Sequence, residues 1–129
     1  MITKGQLEAE IGAAIMKFEK EYFGRGPREL QTYIHKEMII IKQKGVLTLA
    51  EEQLVDNEEG IELIRRLREK LLKTNKKSFE HIFQVITGCK VLSVYTDISV
   101  EHSEKVIVVI LDRNFEGLIM KGKAKVKIV

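Results

Sequence analysis

Four short runs rich in β-branched residues come in two pairs, and within each pair only a short polar segment separates the runs. In the first pair Leu30, Thr32 and Ile34 alternate with Gln31, Tyr33 and His35, Lys36-Glu37 makes a polar turn, and Met38-Ile39-Ile40-Ile41 follows. In the second, Val91 to Thr96 and Lys105 to Leu111 flank the polar stretch Asp97 to Glu104. A parallel pair needs a crossover of about a dozen residues or more, whereas an antiparallel pair closes on a tight turn. The spacing therefore predicts two antiparallel hairpins.

The rest of the chain has helical period. Thr3-Lys4-Gly5-Gln6 has the spacing of a capping box, and Leu7, Ile11, Ala14, Ile15, Phe18 and Tyr22 then form one apolar stripe, with Glu8, Glu10, Lys17, Glu19 and Lys20 assigned mostly elsewhere and Gly24 as the stop. After Gly45, Thr48-Leu49-Ala50-Glu51 repeats the capping spacing and starts a short helix to about Val55. Asn57 caps the next, about Glu58 to Lys73, whose stripe is Ile61, Ile64, Leu67, Leu71 and Leu72 and whose charged faces carry Arg65, Arg66, Arg68, Glu69 and Lys70. Ser78 is read as the cap of a third long helix through Phe79, Ile82, Phe83 and Ile86, ended by Gly88 after Thr87.

The order α-β-β-α-α-α-β-β predicts an α+β fold of two layers. A four-stranded, largely antiparallel sheet made of two hairpins carries its helices on one face. A chain of 129 residues is the size of one domain, read as residues 1–112 followed by a basic extension, 113–129. The apolar stretches are far shorter than the roughly 20 residues of a spanning helix. The N-terminus lacks a secretory signal and Cys89 has no intrachain partner, so a cytoplasmic location is expected.

Charge is distributed unevenly. Residues 113–129 hold five basic side chains against Glu116, a net +4 in a chain of net +3, which leaves −1 for residues 1–112. That balance argues against a nucleic-acid surface on the body of the protein. In the tail Lys121, Lys123, Lys125 and Lys127 alternate with small or apolar residues. As a strand this would put four lysines on one side, for which two readings stay open: a lysine-guarded edge or exchanged strand, or an arm for an acidic membrane surface.

Gly24-Arg25-Gly26-Pro27-Arg28 is the most unusual string. Its glycines permit backbone angles closed to other residues, and exposed amides beside two guanidiniums would form an anion-binding concavity or a partner contact. The simpler reading is a helix stop and a rigid turn into a strand. Asp97 is read as either a turn former or a polar partner of Arg25, and in a small enzyme it would be the acid or base beside that loop. His35, His81 and His102 lack the spacing of a local metal site and are assigned structural roles, and Cys89 is read as a buried hydrophobe. No catalytic set, metal or cofactor is read from the residues.

The ordered set Lys17-Phe18-Glu19-Lys20-Glu21-Tyr22, Gly24-Arg25-Gly26-Pro27, Lys44-Gly45-Val46-Leu47-Thr48, Val85-Ile86-Thr87-Gly88 and Tyr95-Thr96-Asp97 resembles the bacterial MpsC-like family. That family is named for a proposed sodium-translocating, membrane-potential-generating system, and the resemblance covers residues 3 to about 112. It implies an accessory or regulatory binding module serving a membrane cation or bicarbonate system, with no catalytic residues to carry over. The family name makes a membrane transport protein an expected partner. A second copy of the chain is expected from its apolar, β-rich ends, since an unpaired edge at residues 118–129 would be an aggregation hazard, and an acidic membrane surface at the inner face from the lysine tail.

Overall fold

The structure, a computed structural model, describes residues 2–124. Helix α1 (Lys4–Phe23) opens on a complete capping box: Gln6 N donates to Thr3 Oγ1 at 3.1 Å and Thr3 N donates to Gln6 Oε1 at 2.8 Å. It ends at Gly24, whose φ of 86° lies in the left-handed region where a Cβ is unfavourable. Strands β1 (Glu29–His35) and β2 (Met38–Lys44) pair in register around the two-residue turn, and β3 (Val91–Ser99) pairs with β4 (Glu104–Leu111).

The two hairpins join through β2 and β4, which run antiparallel, so the sheet order is β1-β2-β4-β3. Period two along each strand separates the faces. Ile39, Ile41 and Gln43 of β2 and Lys105, Ile107, Val109 and Leu111 of β4 all point into the core. Against that face pack α1, α4 (Lys76–Thr87) and α5 (Phe115–Met120), with Leu7, Ile11, Ile15, Phe18, Phe79, Phe83 and Phe115 buried. The rings of Phe18 and Phe79 meet edge-on at 5.3 Å, and those of Phe79 and Phe83 lie tilted to each other at 5.1 Å. A second, smaller cluster of Val46, Leu47, Ile64, Ile98 and Val100 lies under α2 (Leu49–Glu52) and α3 (Glu58–Thr74).

The α+β class and the order α-β-β-α-α-α-β-β hold as read from the sequence. Local readings are corrected in several places. Helix α4 begins at Lys76 with Asn75 as its flanking residue, so Ser78 lies inside the helix and caps nothing. Strand β3 runs through Asp97 to Ser99, so Asp97 is paired with Val106 instead of standing in a loop. Residues 115–120 form α5, with Asn114 Oδ1 accepting from Gly117 N at 2.9 Å. Leu67, assigned to the apolar stripe of α3, is 49% exposed, while Glu19 and Arg68, assigned to polar faces, are buried. No helix among the described residues is long and apolar enough to cross a membrane.

Candidate functional site

The string Gly24-Arg25-Gly26-Pro27-Arg28 links α1 to β1. Arg25 Nη1 donates to Leu47 O at 3.1 Å and its Nε donates to Gly26 O at 3.4 Å, so the guanidinium ties this loop to the segment before α2. Gly26 lies where a Cβ would strike Met16 Sδ, and Pro27 is buried. Arg28 N donates to Lys44 O at 2.9 Å, extending the β1–β2 ladder, and its side chain lies over Gly45. These contacts build a fixed turn, with both glycines used by the fold.

Asp97 projects from β3 with its side chain 91% exposed and pairs with Arg65 of α3 at 3.8 Å. It borders a cleft of about 600 Å³ between α3, the start of α4 and β3. Arg25 does not line that cleft, so the structure does not bring Arg25 and Asp97 together there. Lys121 and Lys123 stand exposed in the turn that closes α5, their amides bonded to Gly117 O and Leu118 O, whereas Lys125 and Lys127 lie outside the described residues. His102 Nδ1 lies 2.7 Å from Ser99 Oγ in the β3–β4 turn, and Cys89 is 2% exposed.

The deep end of the cleft was not read from the sequence. Arg68 and Lys105 line it, and each ends in a buried ion pair. Arg68 grips Glu51 in a fork, Nε to Oε2 at 2.8 Å and Nη2 to Oε1 at 2.5 Å, and Nη2 also donates to Val46 O at 2.7 Å. Lys105 Nζ donates to Glu19 Oε1 at 2.9 Å, and Gln43 Nε2 donates to the same oxygen at 3.1 Å. Both cations also lie over the Phe23 ring, 5.0 Å from its centroid for Arg68 Cζ and 4.6 Å for Lys105 Nζ, so its π-electrons offset part of their lost hydration.

The electrostatics follow from burial and partners. Burial opposes ionisation of Glu51, yet the hydrogen bonds from Arg68 and from Thr48 N outweigh it and hold the carboxyl below its usual value. Burial pushes the Lys105 ammonium below its ordinary value, opposed by the adjacent Glu19. Period alone marked these positions. Glu19 lies four and eight residues after Ile15 and Ile11, Arg68 four after Ile64, and Lys105 and Gln43 each lie two residues from an inward Ile. A charged or amide side chain at a core-phased position was the available signal.

The fold and this cleft define a small α+β domain: an antiparallel sheet covered by helices on one face, with a preorganised ionic cleft along its β3 edge. The chain belongs to the MpsC family, whose model, described as "Na+-translocating membrane potential-generating system (MpsC)", matches residues 3–113. It is 38% identical over 114 residues to "Uncharacterized protein YbcI" of Bacillus subtilis (strain 168), covering 88% of this chain and 92% of that protein. It is 27% identical over 108 residues to "Uncharacterized protein YrhF" of the same organism, covering 83% and 88%. No solved structure matches the chain.

Proposed function

We propose that this chain is a cytoplasmic accessory module of a bacterial membrane system that handles cations or bicarbonate, peripheral at the inner face of the membrane and acting by binding. The observation that carries this reading is the mutual commitment of the charged groups in the cleft. Arg68 is held by Glu51 and Lys105 by Glu19, both pairs buried and hydrogen-bonded. Groups already paired and hydrogen-bonded make a stiff recognition surface with few torsions left to freeze on binding. Its apolar wall, with Leu72, Val94 and Ile98, and its rim of Arg65 and Lys76 suit an amphipathic segment bearing an acidic group, such as a cytoplasmic loop of a membrane protein. The family name supports the membrane context.

The test is affinity isolation from native bacterial membranes, in a detergent that preserves complexes, with the wild-type chain, Arg65→Glu and Arg25→Ala. The wild type is expected to retain an integral-membrane ion-translocating protein and Arg65→Glu to lose most of it while keeping the wild-type circular dichroism. Loss with Arg25→Ala alone would move the contact to the α1–β1 loop, with the melting curve checking that the bond to Leu47 O is not the cause. If the wild type recovers no membrane ion-transport protein, the accessory-module reading falls.

A further inference from the structure

The helices cover one face of the sheet, and among the described residues no helix lies in the core contacts of the other face. The outward residues form rows across all four strands, fixed by the pairing registers. One row reads Tyr33-Ile40-Val108-Tyr95, in strand order β1-β2-β4-β3, with the tyrosines 47% and 63% exposed. On one side of it lies His35-Met38-Ile110-Ser93, and on the other Gln31-Lys42-Val106-Asp97. The last row, Glu29-Lys44-Glu104-Ser99, carries three charges.

We infer that the outer sheet face binds a second copy of this chain in an isologous, two-fold dimer whose axis runs parallel to the strands between β2 and β4. That rotation keeps every row opposite itself and reverses its order. Tyr33 then meets the Tyr95 position of the second copy, and Ile40 and Met38 meet the Val108 and Ile110 positions. In the charged row Lys44 meets the Glu104 position twice, once from each side. The other in-plane two-fold, perpendicular to the strands, keeps each strand over its own copy and would set Lys44 on Met38 and Glu104 on Ile110, burying charge against apolar side chains, which is costly. The charged row therefore complements itself only in the first arrangement, as an isologous interface requires. The neighbouring row then sets Gln31 at the Asp97 position and Lys42 at the Val106 position, where the Lys42 ammonium must reach past the valine to water.

Four strands about 4.8 Å apart and seven residues at about 3.3 Å give a flat footprint of roughly 400 Å² per copy before side-chain relief. A standard interface buries about 800 Å² per partner, so the dimer is a small one, of the weak or transient size class. Sheets packed face to face stand about 10 Å apart, a gap that the two tyrosines and the aliphatic rows fill.

The experiment is sedimentation velocity over a concentration series with the wild type, Lys44→Glu, Glu104→Lys and a 1:1 mixture of the two variants. Each variant alone places like charges opposite each other, so its dimer is expected to weaken about tenfold or more. In the mixed dimer both contacts are again between opposite charges, and the wild-type sedimentation coefficient is expected to return. Lys44 and Glu104 are also neighbours within one sheet, but an effect confined to one chain is not repaired by mixing. A wild type that stays monomeric at several hundred micromolar, variants that dimerise like it, or a mixture that remains monomeric would overturn the proposal. So would a wild type that dimerises only after deletion of residues 125–129, because the chain's own end would then be what covers the face.

Discussion

Glu19 and Lys105 are 86 residues apart in the chain and 2.9 Å apart in the fold, with side chains 3% and 6% exposed. A pair so far from water gains little net stability over well-packed hydrocarbon, yet removing one partner strands the other. Glu19→Gln is therefore expected to destabilise the protein by about 3–5 kcal/mol in urea unfolding. Replacing the group together, Glu19→Leu, Gln43→Leu and Lys105→Met, should recover most of that loss, and a triple variant as unstable as the single one would refute the buried-pair account. Glu51 makes a pH prediction. Its folded value is depressed, so its contribution is present above the unfolded carboxylate value of about 4.3 and is lost as pH falls through the folded value. Stability measured from pH 6 downward should fall more steeply for the wild type than for Glu51→Gln, which begins lower because Arg68 has lost its counter-charge.

At the scale of elements, α5 shows how a short helix becomes part of the core. Phe115 is fully buried among the residues of α1 and the sheet, and Glu116 bonds both Lys36 N and Lys4 Nζ at 3.0 Å. The Lys36 amide first, and then Lys4, hold the Glu116 carboxyl below its usual range. Phe115→Ala is expected to cost about 3–5 kcal/mol, as a ring removed from a packed core does. A cost under about 1 kcal/mol in the same unfolding assay would mean that α5 only rests on the surface. The alternating lysines of 113–129 point to a strand, and nothing local marks the helix beyond Asn114 standing two residues before Glu116 and three before Gly117. The Asn-Phe-Glu-Gly start is too short to carry a helical period. The opposite holds for the two capping boxes at Thr3 and Thr48, which were legible because the hydrogen bonds that define them span only three residues.

For the whole molecule, the same distinction between near and far contacts separates what could be read from what could not. Both hairpins, four of the helices and the stop at Gly24 followed from the sequence, because period two, period 3.6 and turn chemistry are local properties. Arg25 was legible as unusual, but its bond to Leu47 O depends on how the segment before α2 returns past the end of α1. That β2 pairs with β4, giving the order β1-β2-β4-β3, leaves no local trace, since any two apolar strands satisfy the same alternation. The cleft depends on that choice, because Gln43 and Lys105 become neighbours across the β2–β4 pair and Glu19 descends on both from α1. The sequence by itself determined both hairpins, the first four helices and the apolar stripe that most of them turn inward, since these follow from the spacing of apolar side chains along a few turns. The helix α5, the end of β3 and the burial of Glu19 and Arg68 did not follow from it. Only the tertiary structure decided which buried charges meet and which sheet face stays open, since the free energy of an ion pair depends on a distance between segments that the chain order does not specify.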